Sequence, residues 1–257
     1  MEPRYDWAKA KARGVLQELE VGCIEDLQDI ERLCKGRGVH VTYQKLKNLE
    51  GFLLRPQRLI GVRNDIPEVG RSRFTIAHEL GHWEMHPHLD QFQACTATDI
   101  HGYRGSSEEI EANTFAAELL MPDFILTEQL RFLSPTVDTI IKLATRFRMS
   151  LTATAVRLCE YTDLPVFVAF SSEGRLRWYR RSKRAEGYFF LGFGTELDGD
   201  SFARYCTDAP EEATGPQEVE SSAWFPDDRH YDRFKCLEES VELGDYGVTM
   251  SIITVDE

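Results

Sequence analysis

Arg71 to His88 reads RSRFTIAHELGHWEMHPH, and within it His78, Glu79 and His82 spell H-E-x-x-H. Residues four apart share one face of a helix, so both imidazoles of such a helix reach a single metal ion. Glu79 stands beside them, where it can take a proton from a water next to the metal. A five-residue match also arises by chance on a helix with surface histidines. The flanks argue otherwise, because Phe74, Ile76, Ala77, Leu80 and Gly81 form a buried face around the polar trio. Three polar groups on a buried face need a partner, and a metal ion provides one.

A hydrolytic zinc site takes three protein ligands and leaves a fourth position open. His88 lies ten residues after His78, the separation found in H-E-x-x-H-x-x-G-x-x-H, but Met85 stands where that pattern has its turning glycine. His86, eight residues after His78, reads as a neighbour of the site or as the helix end, where a cation suits the dipole. The next helix, Glu108 to Leu120, reads EEIEANTFAAELL and is closed by Pro122. At 100° per residue Glu109, Ala112, Asn113, Ala116 and Leu120 share the inward face, so Glu109 is the candidate third ligand. Glu111 falls with Glu118 on a polar face and is expected to be solvated. Asn113, one turn after Glu109, is placed to hydrogen-bond a ligand histidine and fix its tautomer.

RFTIAHELGHWEMH followed by EIEANTFAAELLMP resembles the ImmA/IrrE family of bacterial metallopeptidases, specifically over about residues 60–122 and more loosely to about 164. The resemblance implies a zincin-like peptidase whose zinc is held by two histidines and a distant glutamate, matching His78, His82 and Glu109. It also implies that the peptidase cleaves a helix-turn-helix repressor, so that silenced genes are released.

The 257 residues carry a net charge of −13, with 42% hydrophobic and 28% charged side chains, an ordinary globular balance. Residues 162–257 hold 10 basic and 20 acidic side chains, so this part contributes −10. Such acidity opposes non-specific binding to a phosphate backbone and suits a basic protein partner, though it also simply favours solubility. The opening MEPRYDWAKAKARGVLQELE is amphipathic and nothing approaches 18 consecutive apolar residues, so neither a secretory signal nor a membrane span is expected. Six cysteines without C-x-x-C pairs point to reduced thiols in a cytoplasm rather than to disulfides or a thiolate zinc site.

The organisation expected is α+β in three parts. Residues 1–122 form the peptidase domain: helices at Asp6–Leu19 and Ile24–Cys34, then a small sheet from Val39–Tyr43, Gly51–Leu54 and Leu59–Val62, the last two a hairpin. The sheet edge is a place for an extended substrate. Residues 87–107 read as a connecting loop carrying His101 and Tyr103, either able to steady an oxyanion. Residues 123–164 are helical and resemble a helix-turn-helix, with Thr136–Phe147 and Leu151–Tyr161 joined at Met149-Ser150. The second of these lacks a basic stripe, so packing is the expected role rather than reading DNA. Residues 165–257 form a β-rich acidic domain for sensing or docking, with strands at Val166–Phe170, Leu176–Arg180, Tyr188–Leu191, Ala223–Phe225 and Tyr246–Val255. Thr207–Ser222 reads as a loop. Phe189, Phe190, Phe193, Trp224 and Phe225 are expected in its core.

The function expected is a cytoplasmic endopeptidase with Zn2+, or Mn2+, and a restricted protein substrate. A transcription regulator using the central helices and a non-catalytic adaptor are the alternatives. Both leave Glu79 without a purpose, since a structural metal site needs no base.

Overall fold

In the computed structural model of the chain the described residues are 2–89, 91–96, 99–100, 106–208, 215–226, 234–244 and 247–256. They divide into two compact units: Met1–Leu126 with Ala144–Ser150, and Thr127–Leu143 with Leu151–Glu257. His101 and Tyr103 lie outside the described residues.

The first unit begins with helix α1 (Tyr5–Glu18), a 3-10 turn (Glu25–Leu27) and helix α2 (Ile30–Gly36). Where the sequence pattern ran on from Ile24 to Cys34, Asp29 interrupts it by accepting from the Arg32 N–H and capping α2. Strands β1 (His40–Gln44), β2 (Gly51–Leu54) and β3 (Leu59–Arg63) follow, then helix α3 (Val69–Met85), strand β4 (Phe92–Cys95) and helix α4 (Ser107–Leu120). The sheet order is β1-β3-β2-β4, with β1 parallel to β3 and the other pairs antiparallel. Strand β4 was not expected. It rises from the supposed loop and pairs Cys95 with Gly51 on β2.

Helix α3 is enclosed, with β2 and β3 on one side and α4 on the other. Two close approaches seat it. A Cβ on Gly81 would stand 3.1 Å from Phe115 Cδ1 and 3.3 Å from Ala112 Cα, so glycine lets α3 and α4 cross closely. A Cβ on Gly51 would stand 2.7 Å from Thr75 Cγ2 and 2.8 Å from Glu79 Oε1, so β2 passes directly over the H-E-x-x-H face. Phe115, wholly buried, adds about 2–3 kcal/mol of apolar burial at this crossing.

Helix α4 has no solvated long face, because α1 covers the side away from α3. Ala8 and Ala12 of α1 are completely buried and permit that approach. The expectation of a solvated Glu111 is therefore corrected: Glu111 is 2% exposed and Glu118 0%. Arginines of the N-terminal segment neutralise both. Arg4 Nε donates to Glu111 Oε1 at 2.8 Å, and Arg13 Nε to Glu118 Oε1 at 2.9 Å.

Helices α5 (Asp123–Leu130) and α6 (Val137–Phe147) each run across the division between units, and α7 (Leu151–Tyr161) belongs to the second. The turn after α6 is a Schellman motif: Met149 N–H donates to Ala144 O at 2.9 Å and Arg148 adopts φ 53°.

The second unit is built on a five-stranded antiparallel sheet in the order β6-β5-β9-β8-β7, from β5 (Val166–Ser172), β6 (Arg175–Arg181), β7 (Gln217–Glu220), β8 (Lys235–Glu242) and β9 (Val248–Val255), with helix α8 (Phe202–Asp208). Tyr188–Leu191 is irregular and Ala223 ends a 3-10 turn, so these two expected strands are replaced by β7 and β8. Strand β8 escapes a hydrophobic pattern because its inward residues are Cys236, Glu238 and Ser240. Glu238 is fully buried yet satisfied, accepting from Trp224 Nε1 at 2.7 Å and from the Ala203 N–H at 2.6 Å. Trp224 and Phe225 are core, with Phe190 stacked on Phe167 at 4.4 Å. Phe189 and Phe193, 76% and 69% exposed, are not in the core as expected: the irregular stretch they share turns Phe190 and Leu191 inward instead and leaves these two outside.

Candidate metal centre

The histidines four apart on α3 do face one point. His78 Nε2 and His82 Nε2 are 3.1 Å apart, and both rings are fully buried. Glu109, in the first turn of α4, reaches the same point: its Oε2 is 3.2 Å from His78 Nε2 and its Oε1 is 3.4 Å from His82 Nε2. Cys95 Sγ, delivered by β4, completes a group whose donor atoms all lie within 4.8 Å of one another. His88 is exposed and outside this group.

The other nitrogens of the two rings are occupied. His78 Nδ1 is 2.9 Å from Asn113 Oδ1, and Asn113 Nδ2 donates to Asp99 O at 2.9 Å, which sets the amide so that its oxygen faces the ring. His82 Nδ1 is 3.0 Å from His86 Nδ1. His86 ends α3 and is also a neighbour of the site, but burial lowers its pKa, so it is not the cationic cap. That part falls to Arg55, whose Nη2 donates to His82 O at 2.5 Å and His86 O at 2.7 Å.

Burial pushes the Glu79 carboxyl up to about 7, against the charge of His78. Neither of its oxygens has a hydrogen-bond partner among the described residues. Burial would also raise Glu109, yet His78 and His82 together hold it well below the usual carboxylate range. Burial takes His82 down to about 4. His78 rises despite its burial, through Glu109 first. Burial pushes the Cys95 thiol up, and the charges of Glu79 and Glu109 act in the same direction.

Residues 34–159 match the family model described as the IrrE N-terminal-like domain. Over this segment the chain is similar to the ImmA/IrrE family. The radiation response metalloprotease IrrE of Deinococcus radiodurans is 31% identical over 65% of this chain and 51% of its own length. The metallopeptidase ImmA of Bacillus subtilis is 26% identical over 41% of this chain and 61% of that protein. This chain thus spans about half to three-fifths of these relatives. A solved Mycobacterium tuberculosis transcriptional regulator shares the fold across 99% of this chain and 89% of its own, with a TM-score of 0.58 at 17% identity.

The relatives' names, metalloprotease and metallopeptidase, imply a divalent cation in those proteins, and the donor set of this chain fits one. Two imidazole nitrogens and a carboxylate converge, while both Nδ1 atoms are engaged elsewhere. Glu109 Oε2 is buried and, despite its distance to His78, makes no well-directed hydrogen bond among the described residues, as expected of an atom turned toward an ion. Cys95 is the member of the group that sequence reasoning missed. It stands alone in a stretch with no ligand spacing, and only its register opposite Gly51 brings it in. Among the described residues, no helix is long and apolar enough to cross a membrane.

Proposed function

We propose that the chain is a metal-dependent endopeptidase in which His78, His82 and Glu109 hold a divalent cation and Glu79 is the general base. The observation that carries this reading is the Glu79 carboxylate: fully buried, without a well-directed hydrogen bond among the described residues, and adjoining the converged donors. A stranded carboxylate costs several kcal/mol in a structural site, roughly, but is what a proton acceptor requires before substrate arrives. When bound, a cation such as Zn2+ acidifies water and polarises the scissile carbonyl. Glu79 takes the proton of the attacking water on a carboxylate oxygen and hands it to the leaving amine nitrogen. Asn113 holds His78 with its Nε2 lone pair toward the site. Gly51 leaves room for Glu79 beneath β2. The outer edge of β4 adjoins Cys95 and offers an extended peptide main-chain pairing.

The substrate class we propose is a helix-turn-helix repressor, supported by the family and by a relative named for a phage immunity region, 33% identical over 28% of this chain. Reading DNA with α7 is disfavoured, because its arginine, Arg157, is 2% exposed and bonded to Glu160 at 3.0 Å. Glu79→Gln should retain metal and lose cleavage of a repressor encoded beside the gene, since the amide neither accepts nor delivers the proton. Full cleavage by that variant, against a metal-stripped control, would refute the mechanism. Digestion of casein as readily as of any such repressor would refute the restricted substrate.

A further inference from the structure

The two histidines proposed as ligands are held in different ways, and the difference lies beyond the metal centre. His78 leans on one neutral amide. His82 leans on a second imidazole, which leans on a carboxylate, which leans on a guanidinium. His86 Nε2 is 3.0 Å from Glu111 Oε2. Glu111 receives Arg4 Nε at 2.8 Å and the Arg4 backbone N–H at 2.9 Å on Oε1, and Arg4 Nη2 at 3.0 Å on Oε2. His82, His86 and Glu111 are at most 2% exposed.

The directions of these bonds follow from one group. A carboxylate receiving a guanidinium and a backbone N–H is ionised and only accepts. The proton between His86 and Glu111 therefore belongs to His86 Nε2. Neutral imidazole then leaves His86 Nδ1 as an acceptor, and the nitrogen 3.0 Å from it, His82 Nδ1, must donate. A neutral His82 with its proton on Nδ1 presents a bare Nε2, the atom turned toward His78 and Glu109. We propose that His86 and Glu111, anchored by Arg4, are positioning residues: they form a relay that fixes His82 in its metal-binding tautomer and raises its basicity as a ligand. This rests on the reading of His82 as a ligand, and it gives α1 a part in metal affinity through Arg4, which touches neither donor nor substrate. Partners of this kind alter metal affinity by about 10–100-fold.

The test is Zn2+ affinity by chelator competition on the full chain, with histidine ring 15N shifts of the metal-free protein. His86→Leu should weaken Zn2+ by about 10–100-fold, and His86→Asn, whose Oδ1 can accept from His82 Nδ1, should recover much of it. Arg4→Ala removes the exposed end of the relay and should weaken binding by a few-fold, which serves if His86→Leu fails to fold. Glu111→Leu combined with His86→Leu should bind no more weakly than His86→Leu alone, because the two act through one path. The 15N shifts should place the wild-type His82 proton on Nδ1 and show a tautomer mixture in His86→Leu. Unchanged affinity in folded His86→Leu and Arg4→Ala, or a wild-type proton on Nε2, overturns the relay alone. A wild-type chain that binds no Zn2+ overturns the metal centre and the relay with it.

Discussion

At Gly51 and Glu79 the site depends on a side chain that is not there. A methyl on Gly51 would meet Glu79 Oε1 at 2.8 Å and Thr75 Cγ2 at 2.7 Å, so Gly51→Ala must move the carboxylate or the strand. The expected outcome is a loss of turnover exceeding tenfold with metal content near wild type, because the atoms nearest to such a methyl belong to Thr75 and Glu79 and not to His78, His82 or Glu109; equal turnover would show that β2 gives way freely. Glu109→Ala should strip metal from the purified chain, whereas exposed His88→Ala should not, and metal content decides between them. The placement of these single residues was legible where spacing alone carried it, as with His78, His82 and Glu109. Cys95 was not legible, since no spacing ties it to α3 and its position is set by pairing with a strand far upstream.

Among the elements, α4 carries most of what the sequence pattern misjudged. A helical wheel assumes one buried face, and α4 has two, against α3 and against α1. The pattern therefore found Glu109 and Asn113 and misassigned Glu111, whose burial depends on an arginine from the far end of the segment. β4 and β8 were hidden for a related reason: one is short and the other turns Glu238 and Ser240 inward, so neither alternates in hydropathy. The α1–α4 contact has a pH signature. Arg4, the first cause, and His86 hold the Glu111 carboxyl down at about 2, below its ordinary value. A depressed carboxyl stabilises the fold fully above its unfolded value near 4.5, and that contribution is lost as pH falls toward about 2. Arg4 is half exposed, so solvent screening weakens that contribution. In the metal-free protein the difference in urea stability between wild type and Arg4→Ala should shrink from pH 5 to pH 3. A constant difference would mean the pair does not titrate in this range.

Over the whole molecule, the boundary after Pro122 suggested by sequence is not where the first unit is complete. Residues 144–150 return to it, and the backbone of Met149 and Ser150 lies so close to Gly70 that a Cβ there would approach them at 2.8 Å. Arg148 and Arg146 also meet Gln28 there. A chain ending at 150 should therefore be more stable than one ending at 126, seen as a lower urea midpoint in the shorter form, although both hold every proposed donor. Equal midpoints would make the returning segment dispensable. The same return bears on how the protein is made. The last donor leaves the ribosome with residue 109, while the scaffold around it is unfinished until residue 150 follows. A cation that binds the finished scaffold adds to its stability by mass action. In metal-starved cells the newborn chain closes without that contribution and is open to the proteases that clear unfolded protein. Its lifetime in pulse-labelled, chelator-treated cells should accordingly follow the metal supply, so that scarcity of the ion would limit the amount of the protein as well as its occupancy.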